Sequence, residues 1–244
     1  THPCINHHPF FFVPAYDNAM RYLFLVSYRT GRPEIFAEKR SSGELIQLTE
    51  HPQLKEWSIY PSRDGQWVYF TAGTGAWRVN TNTLAEEQLA EFGDMDMREK
   101  GMVGAAMGTT ALSWCDRWWA VPYTVGEVSR FAIIDTQDHS CQIILERDSI
   151  GHPQFCPDDS SLLFYAGPLN DRVWVINRDG SHNRRLYARK EHEWITHETW
   201  IPGRRELAFV DWPNGIRCIN VDSGTERRIT SRSVWHAICN QEGT

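Results

Sequence analysis

Four histidines of this 244-residue chain stand at matching places ahead of a proline or its equivalent. His152 lies five residues before Pro157, and His197 lies five residues before Pro202. His236 precedes Asn240 by four, and His8 precedes Pro14 by six. An imidazole titrates near neutral pH and is a frequent metal ligand, so several imidazoles meeting in one pocket suit acid–base work or metal binding. A single histidine on a strand more often packs or hydrogen-bonds. His152 and His197 stand out because they recur in register, from position 152 to position 197, an interval of 45. His2, His51, His139, His182 and His192 do not share the register and read as turn or surface residues.

Recurrence of this kind needs a repeating scaffold. Five segments share one outline, a short strand, a turn with Pro or Asp, then a strongly apolar strand. They are Phe10–Pro14 leading to Tyr22–Val26, Trp57–Pro61 leading to Trp67–Phe70, and a weaker Ala111–Cys115 leading to Trp118–Val121. Pro153–Pro157 leading to Leu162–Tyr165 and Thr199–Pro202 leading to Leu207–Val210 complete the set, and a sixth opens at Trp235–Ile238. Pro14 to Pro61 spans 47 residues, Pro61 to Pro157 spans 96, and Pro157 to Pro202 spans 45. Further strand pairs lie between, joined by turns such as Ser41-Ser42-Gly43 and Arg178-Asp179-Gly180. Thr83–Glu91 could pass for a helical turn, but its place in the repeat makes it a strand hairpin.

Four strands in about 45 residues make a propeller blade. The expected fold is all-β, a β-propeller with four-stranded blades. At that repeat length, 244 residues cover five to six blades of an expected seven, as a single propeller domain over residues 1–244 that lacks the last blades. The first strand of each blade lines the central channel, and its start faces one mouth. That is where the histidines are expected to converge.

Composition narrows the function classes. The chain is 41% hydrophobic and 23% charged, as in ordinary soluble globular proteins. Its net charge of −6 and its lack of a basic run argue against nucleic acid as a partner. Arg184, Arg185, Arg189 and Lys190 are interrupted by apolar residues and read as a solvated strand edge. No apolar run reaches the length of a membrane span, so no membrane partner is expected. The six cysteines contain no CxxC pair, which favours scattered buried thiols of an intracellular protein over a zinc knuckle.

Several motifs resemble those of oligogalacturonate lyases. Ile150-Gly151-His152-Pro153-Gln154-Phe155 followed by Pro157-Asp158-Asp159 is one, and Thr196-His197-Glu198-Thr199-Trp200 followed by Pro202 and Gly203 is another. Asn6-His7-His8-Pro9-Phe10-Phe11 and Gln47-Leu48-Thr49-Glu50 are similar to that family's first blade. The resemblance implies β-elimination on short acidic pectin fragments, with an acidic oligosaccharide as substrate. It implies His152 as the base and Arg130 as the cation that neutralises the substrate carboxylate. It also implies a divalent metal, manganese, held by His197. His236, His7 and His8 could face the same channel, which makes His236 a further candidate ligand. The family's remaining ligands, a glutamine and two histidines near a late His-Pro-His string, have no counterpart in this chain. Gln154, two residues beyond His152 on the strand, could meet substrate hydroxyls, and His8 and Trp200 are further candidates for substrate contact. Trp200, Trp212 and Tyr165 could each stack on a sugar ring, although blade packing is the commoner use of such residues. The resemblance places the work in the cytoplasm. A non-catalytic TolB-like propeller that binds protein or sugar is the alternative, as is a lyase for another uronate polymer. The joint presence of Arg130, His152 and His197 favours the lyase.

Overall fold

The computed structural model describes residues 5–95, 108–240 and 242–244. Among the described residues the strands form five antiparallel four-stranded sheets in chain order, five blades of an all-β propeller. Blade 1 holds β1 (Asn6–His7), β2 (Tyr22–Ser27), β3 (Glu34–Lys39) and β4 (Leu45–Gln47). Blade 2 holds β5 (Tyr60–Pro61), β6 (Trp67–Ala72), β7 (Gly75–Asn80) and β8 (Glu86–Glu91). Blade 3 holds β9 (Ala111–Leu112), β10 (Trp118–Val125), β11 (Val128–Asp135) and β12 (Cys141–Arg147). Blade 4 holds β13 (Gly151–Cys156), β14 (Asp159–Ala166), β15 (Val173–Asn177) and β16 (Arg184–Tyr187). Blade 5 holds β17 (Trp194–Ile201), β18 (Glu206–Trp212), β19 (Gly215–Asn220) and β20 (Glu226–Thr230). Among the described residues no helix is long and apolar enough to cross a membrane.

Burial explains the pattern within each blade. The second and third strands are covered on both faces by neighbouring blades, so β14 runs buried from Leu162 to Ala166. The outermost strands carry charge instead, as in the exposed Glu226, Arg227 and Arg228 of β20. Apolar side chains of one blade pack into the next. Phe24 meets Phe70 in the cluster joining blades 1 and 2. Tyr69 and Trp119 stand 5.4 Å apart between blades 2 and 3, and Tyr187 and Phe209 stand 5.0 Å apart between blades 4 and 5. Each fully buried side chain of this size contributes roughly 1.5–3 kcal/mol through removal of apolar surface from water.

The turn between third and fourth strands repeats in four blades. The amides of Gly43, Leu84, His139 and Gly224 each donate to the carbonyl four residues earlier. All four residues have left-handed backbone. Leu84 therefore lies in a hairpin turn ahead of β8, as its place in the repeat predicts.

Phe10–Pro14 differs from expectation. The inner strand of blade 1 is Asn6–His7, and the phenylalanines leave the sheet in a turn closed by Val13 N donating to Phe10 O at 2.7 Å. A strand would send successive side chains to opposite faces. The turn instead clusters all three rings, with centroids 4.9–5.2 Å apart. The stretch from Trp235 forms no strand, although Cys239 packs against Ile201, Ala208 and Cys218 of blade 5. Of the five described cysteines, all free, Cys156 and Cys218 are buried as expected, whereas Cys115 and Cys141 are exposed.

Candidate active site

His152 and His197 are positioned by one backbone device used twice. On β13, Gly151 pairs with Ala166 and Gln154 with Phe164, so two residues of the inner strand, His152 and Pro153, oppose one of its neighbour. On β17, Thr196 pairs with Val210 and Thr199 with Ala208, the same bulge 45 residues later. Each histidine sits inside its bulge with a left-handed backbone, φ 47° for His152 and 51° for His197. Non-glycine residues take this conformation at a cost, and such costs concentrate at functional sites. The bulge frees the histidine from the ladder and re-aims it.

His152 is buried, and Arg172 Nη2 lies 2.9 Å from its Nδ1. Arg172 closes the loop between β14 and β15, which emerges at the same end of the blade as the start of β13. Behind it, Arg172 Nε donates to Glu198 Oε1 at 2.6 Å, and both side chains are almost wholly shielded from solvent. Burial pushes the His152 pKa well below its usual value, and the charges of Arg172 and then His197 push it the same way. The ring is neutral at physiological pH.

His197 faces His236, with ring centroids 4.1 Å apart, and Trp235 packs edge-on at 5.2 Å. Its pKa falls to about 4, mainly through burial, with His236 and Arg172 adding to the fall and the Trp235 carbonyl opposing it. The phenylalanine turn lies over both histidines. Phe10 and Phe12 are 5.1 and 5.8 Å from His152, and Phe11 is 5.3 Å from His197 and 5.2 Å from His236. Three buried polar atoms here have no partner among the described residues: His152 Nε2, His197 Nδ1 and Glu198 Oε2. Buried polar atoms are nearly always paired, so three orphans in one cluster mark a place built for a ligand.

In blade 2 the register position, five residues before Pro61, is Glu56, which lies 3.2 Å from His7 Nε2. The His7 ring in turn packs on Trp57 at 4.6 Å.

The structure thus brings together His152, His197 and His236. The other sequence candidates fall elsewhere. Arg130 lies near the start of β11, at the same end of its blade but on the third strand, and its guanidinium is held by Asp94 and Glu146. It makes no contact with the histidines among those described, because a third strand stands away from the channel. Trp200 is buried between blades 4 and 5 and donates to the Gln154 carbonyl at 3.1 Å, so packing removes it as a sugar platform. Gln154 spends its amide nitrogen on the Glu198 carbonyl at 2.7 Å. It lines a separate cavity of about 330 Å³ that also touches Tyr60, Arg63 and Trp114. His8 hydrogen-bonds the neighbouring Pro9 carbonyl and joins none of the three histidines. Trp212 is exposed and Tyr165 is buried.

Sequence reasoning missed Arg172, Glu198 and the phenylalanine turn. Glu198 carried a signal, an acidic residue beside a register histidine on an apolar strand. Arg172 carried none, since only the β14–β15 hairpin brings it to His152.

The donor set for a metal is incomplete among the described residues. No group of three or more His, Cys, Asp or Glu side chains there is arranged to hold one. His197 and His236 offer two imidazoles, against the three or more protein ligands usual in catalytic sites.

A family model described as oligogalacturonate lyase matches residues 5–244. An oligogalacturonate lyase of Dickeya dadantii is 26% identical over 265 residues, spanning 98% of this chain and 68% of the relative. A solved oligogalacturonate lyase in complex with manganese superposes with a TM-score of 0.84 at 20% identity, over 98% of this chain and 70% of that one. TolB from Acinetobacter baumannii shares the fold more distantly, with a TM-score of 0.59 at 14% identity, over 92% of this chain and 53% of that one. Matched almost from end to end by that family model, the chain belongs to the oligogalacturonate lyase family of polysaccharide lyases.

Proposed function

We propose that this chain cleaves oligogalacturonate, or a similar short uronate oligosaccharide, by β-elimination. The observation that carries the reading is the pair of left-handed bulges, each presenting an imidazole, buried at His152 and half-buried at His197, with a ring nitrogen that has no partner among the described residues. A propeller that serves only as a scaffold has no use for two such strained positions. In the reaction, the proton on the carbon beside the carboxylate leaves to a base. Its electron pair forms a carbon–carbon double bond, the glycosidic C–O bond breaks, and the leaving oxygen takes a proton from solvent. Neutralising the carboxylate makes that first proton acidic. Arg130 reaches the substrate for this purpose only by giving up Asp94 and Glu146. We place the reaction in the cytoplasm, on imported fragments.

The conjugated product absorbs in the ultraviolet where the substrate does not. Adding digalacturonate and manganese to the protein is expected to raise the absorbance steadily. His152→Ala is expected to slow that rise by roughly 10²–10³-fold, as for loss of a key stabilising group. A flat trace from the wild-type protein overturns the proposal.

A divalent cation between His197 and His236 would supply positive charge for the uronate carboxylate. Manganese is the ion in the solved family structure. Calorimetric titration with manganese is expected to show binding that weakens at least about ten-fold in His197→Ala and in His236→Ala. Unchanged affinity in both variants removes these two histidines as ligands.

A further inference from the structure

We infer that the far end of the central channel holds a second binding site, in which Arg63, laid over Trp114, receives the carboxylate of a single uronic acid ring. The choice of a uronate rests on the lyase reading above. The choice of a small ring-borne carboxylate does not.

Position separates this site from the histidines. On β13, His152 lies near the start of the inner strand and Pro157 just past its end, five residues on, or about 15 Å of extended chain. The turns that follow the inner strands of blades 2, 3, 4 and 5 supply Arg63, Trp114, Pro157 and Pro202, all of which line the cavity of about 330 Å³. Ligand pockets run from roughly 300 to 1,000 Å³. This one sits at the small end, which suits one ring rather than a chain of them.

Arg63 is a cation held there without a partner charge. Its guanidinium lies 3.5 Å from the centre of the Trp114 ring. Its side-chain hydrogen bond among the described residues is a long one, 3.5 Å to the neutral Asn18 Oδ1. The Asp116 carboxylate accepts the Arg63 backbone amide instead, at 3.0 and 3.1 Å, and the Arg63 carbonyl accepts from Asn18 N at 2.8 Å. The backbone is thus pinned between blades 1 and 3 while the head group stays unspent. Arginines at comparable turns are spent on carboxylates, Arg117 on Asp135 and Arg205 on Asp159 and Asp222. Burial pulls the Arg63 pKa below its usual value, against the opposing pull of Tyr60 and Asp116. Burial also pushes the Tyr60 pKa up to about 12, so its hydroxyl stays neutral and does not balance the guanidinium.

The lining selects the anion. A guanidinium grips a carboxylate through two parallel N–H donors. Phe12 and Phe155 give an apolar wall for the C–H face of a sugar ring, and Gln154 and Thr199 give polar groups for its hydroxyls. An inorganic anion has no use for the apolar wall, and a neutral sugar has no use for an unbalanced cation. A uronate uses both.

Proton–nitrogen NMR of the full chain labelled with ¹⁵N-tryptophan reads the site directly, with the Trp114 indole assigned by its absence in Trp114→Phe. Adding galacturonate is expected to shift the Trp114 indole resonance saturably. Arg63→Met keeps an aliphatic stem on the indole but removes the charge. It is expected to weaken the binding by roughly ten- to hundred-fold, the loss usual for hydrogen bonds to a charged group. Arg63→Lys keeps the charge, loses the fork and is expected to fall between. His197→Ala is expected to bind as the wild type does, and galactose, the same ring without the carboxylate, to give no saturable shift. No saturable shift in the wild type overturns the inference, as does a shift lost in His197→Ala, which would place the binding at the histidines. Wild-type affinity in both Arg63 variants, or an equal response to galactose, overturns the carboxylate site. An equal response to inorganic phosphate overturns the uronate as its occupant. A wild type that fails to turn over digalacturonate would sink the lyase reading, and the Trp114 titration would still decide the carboxylate site.

Discussion

Replacing Arg172 with methionine is expected to lower the free energy of unfolding by about 3–5 kcal/mol, the usual penalty for breaking a buried ion pair from one side. Glu198 would remain at the blade 4–blade 5 contact, almost wholly shielded, with neither carboxylate oxygen paired. His152 would lose the donor on its Nδ1 at the same time. The double variant Arg172→Met/Glu198→Leu is expected to recover most of the loss, because replacing both charges with apolar groups of similar size is often neutral. Urea unfolding of the wild type, the single variant and the double variant tests this. A single variant within about 1 kcal/mol of wild type would show that the pair is not shielded as described. Recovery in the double variant, with digalacturonate turnover still impaired, would separate the role of the pair at His152 from its role in folding.

The blades were legible because their signals are local and repeated. Apolar strand pairs, Asp-Gly and Ser-Gly turns, and prolines about 45 residues apart each follow from short-range rules. His152 and His197 were legible for the same reason, since equivalent positions in consecutive blades become neighbours around a channel. The features that escaped depend on geometry that periodicity does not encode. Phe10–Phe12 read as an inner strand because apolar runs usually are strands. Only the turn closed by Val13 and Phe10 shows that all three rings cluster over the histidines. Arg130 matched a family position in sequence, but two local carboxylates compete for its guanidinium. Trp200 shows the limit of reading residue type alone. It is an aromatic beside a candidate site, yet its indole is spent on a backbone carbonyl inside the core.

Stability is expected to fall through His152 as the pH drops from 7.5 to 5, with the loss setting in below pH 6.5. The folded pKa of this ring lies well below 6.5, through burial first and then the charges of Arg172 and His197. The unfolded chain binds a proton at His152 once the pH passes below 6.5, whereas the folded chain refuses it. Stability that is complete above pH 6.5 is therefore lost at about 1.4 kcal/mol per pH unit until the folded pKa is reached. His197 adds a smaller loss over the same range, ending near its folded pKa of about 4, because part of its ring remains open to solvent. Carboxylates held below their usual pKa, such as Asp17 and Asp159, lose their contribution only nearer pH 4 and below. The window from pH 6.5 to 5 thus isolates the histidines. Urea unfolding at pH 7.5 and 5 should show the decline in the wild type and a flatter dependence in His152→Gln. An equal slope in the two proteins would mean that His152 takes up its proton in the folded state, against the downward shift that its burial gives it. The slope and the chemistry share one cause. The burial that makes protonation of His152 costly is the burial that leaves its Nε2 without a partner among the described residues.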